Sequence, residues 1–224
     1  MLIVIEGLDG SGKSTQVRNV HQYLVEKTGK ELHYLHFPRF DAPVVGEMIV
    51  KFLRGEFGSI EQVHPMIVAL LFAEDRREAS AQIKKWLENG DIVLLDRYVY
   101  SNIAFQCAKL PTAEQQEDLA QWILETEYNQ FGIPRPDLNI FLDVPISFVD
   151  SKLKDSRSGD DRNYLNGKSD IHEADITFQQ NVRQVYLRQC EQDPTFIRVC
   201  CSDSEGKMLP AEDIFKKLQN VINI

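Results

Sequence analysis

The sequence predicts an α/β protein: a doubly wound parallel sheet of five strands flanked by helices. Two observations carry that expectation. Short runs rich in aliphatic residues recur along the 224 residues, each too short for a helix, and stretches with apolar residues at helical spacing separate them. Such alternation places the strands in parallel and covers both faces of the sheet.

Leu2 to Ile5 opens the pattern as a run apolar enough to be buried on both faces. A glycine-rich stretch follows, and then Val17, Val20 and Leu24 recur at helical spacing. The next strand is expected at Leu32 to Phe37, where the composition is more mixed. Ile67, Leu70 and Leu71, then Ile83, Trp86 and Leu87, read as helical stripes ahead of a strand at Ile92 to Leu95. Leu138 to Leu142 and Phe196 to Val199 complete the five strands, and Ile214, Phe215, Leu218, Val221 and Ile222 form the clearest helical stripe. One segment breaks the alternation: SRSGDDRNYLNGKSD, Ser156 to Asp170, is polar and charged on both signs, and reads as an exposed flap.

A hydrophobic content of 43% over this length suits one sizeable core, hence a single domain over residues 1–224. The formal charge of -9 speaks against a broad grip on nucleic acid or an anionic membrane, so any bound anion must sit in a local pocket. Cys107, Cys190, Cys200 and Cys201 show no C-x-x-C spacing and are expected as reduced, mostly buried thiols. No apolar run approaches the roughly 20 residues of a membrane span. Met1 leads directly into an apolar strand, without a charged leader, so a cytoplasmic location is expected.

The chemistry starts at IEGLDGSGKST. Gly7, Asp9, Gly10, Ser11, Gly12, Lys13 and Ser14 fit G-x-x-x-x-G-K-[ST], with Thr15 following, between an apolar strand and a helical stripe. This is the context a nucleotide-phosphate cradle of P-loop NTPase type requires. Glycines allow a tight turn with amides facing inward, Lys13 can reach the β- and γ-phosphates, and Ser14 can ligate Mg²⁺. The guanine signature N-K-x-D is absent from the chain, which argues against a GTPase switch. A small phosphoryl-transfer enzyme leads.

Asp96 and Arg97 follow the strand Ile92 to Leu95, at the carboxyl edge where open α/β sheets bind ligands. An acid there can hold Mg²⁺, or form a strand-end salt bridge. A hydroxyl acceptor would need a carboxylate base, whereas a nucleoside monophosphate, with a second pKa near ~6, is already largely ionised. Two phosphates pressed together call for cations, and Arg39, Arg97, Arg157 and Arg162 are available beside loop signals.

Five ordered segments carry a family resemblance: EGLDGSGKST, FPRF, LLFAEDRR, DRYVYSNIAFQ and PRPDLNIFLDV. Together they make the chain resemble the thymidylate kinases, which convert dTMP to dTDP with ATP, over nearly its whole length. The resemblance implies ATP as donor, Mg²⁺ held by Ser14 and Asp96, and a homodimer. It implies that Phe72 stacks on thymine, Arg76 meets its O4, and the Asn102 amide also meets the base. Arginine only donates, so it suits a carbonyl and leaves the amino group of cytosine unmatched. By the same resemblance Phe105 packs where a ribose 2′-hydroxyl would project, and Asp9 helps position the 3′-hydroxyl or a water. Phe37 and Arg39 fall on the acceptor side, Arg39 matching the ligand of the acceptor phosphate.

The cradle itself holds Gly10-Ser11 rather than an arginine, so the family pattern assigns the flap, about 156–172, as a lid that brings Arg157 or Arg162 to the transferring group. Catalytic roles thus fall to Lys13, Asp96, Arg97, Arg157 and Arg162. Asp170 and Glu173 match acidic positions of the helix after the lid, while His172 and the insertion around Asn163 to Lys168 depart from the pattern. A deoxynucleoside kinase, a kinase for another pyrimidine monophosphate, and an ATP-binding regulator without turnover are the alternatives.

Overall fold

A computed structural model describes residues 1–154, 170–172 and 175–223. Five parallel strands form one sheet in the order β2-β3-β1-β4-β5: β1 Leu2–Gly7, β2 Leu32–His36, β3 Ile92–Asp96, β4 Leu138–Asp143 and β5 Phe196–Cys200. All five lie where the apolar runs predict them. The three inner strands are almost wholly buried, while β2 and β5 at the edges are only partly covered. That difference explains the more mixed composition of β2: an edge strand has one side without a neighbour.

Helices α1 Lys13–Thr28, α2 Val45–Leu53, α3 Pro65–Glu88, α4 Val99–Cys107, α5 Ala113–Leu124, α6 Ile146–Lys154, α7 Ile176–Gln192 and α8 Ala211–Ile222 pack around the sheet. Local chemistry marks their ends. Gly29, at φ 62, closes α1 with its N–H on the Val25 carbonyl, a left-handed stop that glycine adopts without strain. Asp175 caps α7 by accepting from the Thr177 amide at 2.8 Å. After α5 the chain continues into a π-helical turn, Glu125–Gln130.

The stripe expected at Ile67, Leu70 and Leu71 is corrected. Ile67 is 62% exposed and Leu70 37%, whereas Val68, Ala69, Phe72, Arg76, Ala79 and Ile83 form the covered face of α3. Apolar spacing alone does not mark this face, because it includes the buried Arg76. The thiols also differ in part: Cys107 and Cys201 are buried, Cys190 is half-buried and Cys200 is exposed, all free. Among the described residues no helix is long and apolar enough to cross a membrane.

The order of strands positions the site. From β1 the chain departs toward β2, and from β3 it departs toward β4, so a crevice opens at the carboxyl ends of these two neighbours. Their register sets Ile5 beside Asp96, bringing the end of β3 level with the loop that follows β1.

Candidate active site

The loop after β1 folds as an anion cradle. Gly10 and Gly12 take left-handed φ of 72 and 76, and Gly12 caps α1 with no side chain over its first amides. The Ser11 hydroxyl is buried without a partner among the described residues. Open helix amides beside an unpartnered donor suit phosphate oxygens. A Cβ at Gly7 would sit 2.9 Å from Ser11 Oγ, so a larger residue there would crowd the cradle. Ser14 and Thr15 are exposed on the first turn of α1. Lys13 Nζ lies 2.6 Å from Asp96 Oδ1. Burial pushes the Asp96 carboxyl up, but the charges of Lys13, His36 and Arg97 and the Lys13 hydrogen bond together hold it below the usual carboxylate range.

Beyond β3 the backbone turns sharply. Arg97 has φ 69, an uncommon conformation for a residue with a side chain and one that persists where its surroundings enforce it. The enforcing group is Glu6, fully buried at the end of β1. It accepts from the Tyr98 amide at 2.9 Å, the Ser101 amide at 3.1 Å, and the hydroxyls of Ser101 and Tyr186. Burial pushes its carboxyl up against the pull of these bonds and of Arg97. So held, Arg97 reaches back to the cradle, where its Nη2 meets Asp9 Oδ1 at 2.5 Å. The other Asp9 oxygen accepts from Gln179 on α7 at 3.0 Å, and Gln179 also donates to the His172 carbonyl at 3.0 Å. The negative charge inside the cradle is therefore matched. Burial opposes the Arg97 charge, yet Asp9 and its acidic neighbours raise its pKa.

At the far end α3 and α4 line an aromatic pocket. Phe72 packs edge-on against Phe52 at 6.4 Å, and the Phe105 ring lies 5.0 Å beneath the Arg97 guanidinium. Arg76 is buried: its Nε and Nη2 donate to Glu127 at 2.5 and 2.6 Å. Asn102 Nδ2 donates to the Ala69 carbonyl and to Glu127, both at 2.9 Å, while Asn102 Oδ1 is buried with no partner among the described residues. Burial would lower the Arg76 pKa, but the charge and hydrogen bonds of Glu127, with Asp75 and Tyr98 beside them, together raise it.

One cleft of about 1450 Å³ joins the two ends, lined by Asp9 through Thr15, Phe37, Phe72, Arg76, Asp96, Arg97, Asn102 and Phe105. Sequence reading names all of these. Arg39, expected at the acceptor phosphate, is placed elsewhere. It does not line the cleft, and its guanidinium pairs at 2.8 Å with the buried Asp75 of α3. Asp75 holds it there, its carboxylate accepting from the Arg39 amide and Nε and its carbonyl from Nη2. Arg157, Arg162, Glu173 and the insertion 163–168 lie outside the described residues; His172 is buried against Phe52, Phe105 and Phe178.

Sequence reading missed Glu6, Glu127 and Gln179. Glu6 left a signal, an acid within an otherwise apolar strand. Glu127 and Gln179 left none, because each acts through contacts made only in the fold.

Residues 5–209 match the family model described as thymidylate kinase. The thymidylate kinases of two Mycobacterium tuberculosis strains are each 32% identical over 194 residues, covering 86% of this chain and 86% of theirs. Among solved structures, a thymidylate kinase from Candida albicans superposes with a TM-score of 0.69 at 26% identity, covering 99% of this chain and 90% of that one. The report of that structure describes its broad substrate specificity.

Proposed function

We infer how this cleft works from one premise: the chain belongs to the thymidylate kinase family, and it transfers the γ-phosphoryl group of ATP to dTMP, giving dTDP and ADP. One observation carries the residue assignments. The same cleft runs from an amide cradle, whose Ser11 hydroxyl has no partner among the described residues, to a pocket whose polar groups include Arg76 and an Asn102 carbonyl likewise without a partner among them.

ATP places its phosphates in the cradle, against the amides after Gly7 and the Ser11 hydroxyl, with Thr15 at the helix start. Lys13 leaves Asp96 for the β- and γ-phosphates and neutralises charge that grows in the transition state. The Ser14 hydroxyl and the Asp96 carboxylate are hard oxygen donors and fit Mg²⁺, which when bound offsets phosphate charge. In the acceptor half Phe72 stacks on thymine, Arg76 donates to O4, and Asn102 Oδ1 accepts the N3 proton. Phe105 offers a 2′-hydroxyl no hydrogen bond, so deoxyribose is preferred. Arg97 holds the acceptor phosphate, and Asp9 keeps Arg97 aimed while facing the sugar hydroxyl.

The phosphate oxygen of dTMP attacks in line and needs no base. Both Asp9 and Asp96 are ion-paired, which favours an ionised phosphate over a hydroxyl as acceptor. Arg157 or Arg162, on a lid of about 156–172 within a single domain, supplies the further cation. Phe37 braces the acceptor side of the cleft, and Arg39 steers the FPRF loop through its bond to Asp75. The protein works in the cytoplasm as a homodimer, with exposed Ile67 and Leu70 of α3 as the contact.

The deciding experiment is an ADP-release assay offering dTMP, dUMP, dCMP and thymidine side by side. dTMP should be consumed fastest and thymidine left intact. Consumption of thymidine would mean a deoxynucleoside kinase, and tight ATP binding with no product would mean a regulator.

A further inference from the structure

Glu127 does not line the cleft, yet three hydrogen-bond donors converge on its carboxylate. Two come from Arg76, at 2.5 and 2.6 Å, and one from Asn102, at 2.9 Å. The π-helical turn Glu125–Gln130 gives the side chain this inward aim, leaving it with no exposed surface. Turns of this kind recur at functional sites.

We propose that Glu127 sets the base preference of the cleft as a positioning residue, locking Arg76 as a donor and Asn102 as an acceptor toward the base. The inference rests on reading Arg76 and Asn102 as the base-contacting pair.

The lock follows from hydrogen-bond polarity. The two amide hydrogens of Asn102 go to Glu127 and to the Ala69 carbonyl, and both partners accept only. Turning the amide over would press Oδ1 against a carboxylate and a carbonyl. The Asn102 carbonyl must therefore be the atom left for the cleft, where it is buried with no partner among the described residues. The same carboxylate takes Nε and Nη2 of Arg76, so Nη1 is the amino group left without a partner among the described residues. One donor and one acceptor then stand side by side.

Thymine and uracil answer with an accepting O4 and a donating N3–H. Cytosine offers a donating amino group and an accepting N3, so it mismatches both. A site whose polar groups are fixed in this way rejects the wrong partner strongly, because the mismatch leaves buried groups unpaired.

The test compares kcat/KM for dTMP and dCMP in the wild type and in Glu127→Gln. The neutral amide removes the charge that forbids the Asn102 flip and that fixes Arg76. The dTMP-to-dCMP ratio should fall at least about tenfold, mostly through the KM of the nucleoside monophosphate, with the KM for ATP unchanged. Loss of a merely structural contact would lower both substrates together and leave the ratio where it was. A Glu127→Gln protein that melts cooperatively, binds ADP normally and keeps the wild-type ratio overturns the proposal. If that variant does not fold, Glu127→Asp is measured in the same way, since the shorter acid cannot hold both partners, and an unchanged ratio again overturns it. A wild type that uses dCMP as well as dTMP would instead sink the underlying assignment of Arg76 and Asn102.

Discussion

Lys13 and Asp96 form a close ion pair at the junction of cradle and sheet, so phosphate binding must exchange one partner of Lys13 for another. In the proposed mechanism the lysine contributes to the transition state because γ-phosphoryl charge shifts toward it during transfer. Lys13→Ala should lower kcat by roughly 10²- to 10³-fold, the loss typical of one preorganised charge-stabilising donor. Single-turnover measurement of dTDP formation checks this. His172 is a different kind of residue. Burial, and then the charges of Lys109 and Arg97, hold its pKa well below the usual value. The unfolded chain takes up a proton below about pH 6.5 that the folded chain refuses, so stability is full above that pH and falls as pH drops. The slope from this one group reaches at most about 1.4 kcal/mol per pH unit. Urea melts from pH 7 to 5.5 should show a shallower decline in His172→Gln than in the wild type, and equal slopes would place the imidazole in solvent. At this scale legibility followed locality. Lys13 and Ser14 are fixed by neighbours in the loop, while Glu127 meets Arg76 across 51 positions and Gln179 meets Asp9 across 170. No local pattern encodes such pairings.

Helix α3 shows why elements are easier to find than their faces. Its start is written locally, with Pro65 in the first turn and the His64 side chain accepting from the Met66 amide. Its covered face is not, because Arg76 and Asp75 are buried there among apolar residues while Ile67 and Leu70 turn outward. A polar cleft inverts the usual rule for a helix stripe. The strands are plainer: β1, β3 and β4 are almost wholly buried and mostly apolar, whereas edge strand β2 is mixed. The outward apolar residues carry an expectation of their own. If α3 forms the homodimer contact, Ile67→Glu with Leu70→Glu should halve the mass seen by light scattering after size-exclusion chromatography. Because both residues are exposed in the monomer, the circular dichroism spectrum should stay unchanged; an unaltered mass would move the interface elsewhere or remove it.

Across the whole molecule the sheet acts as a frame that sets the cradle and the α3–α4 pocket at one crevice. β1 leads into the cradle, β3 ends at Asp96 with Arg97 just beyond it, and the cleft continues to α3 and α4 without a break. Its volume of about 1450 Å³ exceeds the roughly 300–1,000 Å³ of most single-ligand pockets, as two nucleotides require. If the halves are separately built, each nucleotide should stabilise the fold through its own residues. A ligand at 100 times its Kd adds about 2.7 kcal/mol, which for a chain of this size raises Tm by roughly 5–10 °C. ADP and dTMP should each produce such a shift in the wild type. Lys13→Ala should lose most of the ADP shift and keep the dTMP shift, since Lys13 sits in the cradle. Arg76→Ala should do the reverse, on a lower baseline, because it strips a partner from the buried Glu127, a change that costs about 3–5 kcal/mol. Thermal melts of the three proteins with each nucleotide decide the matter, and a variant that loses both shifts together would show that the cleft is one site rather than two.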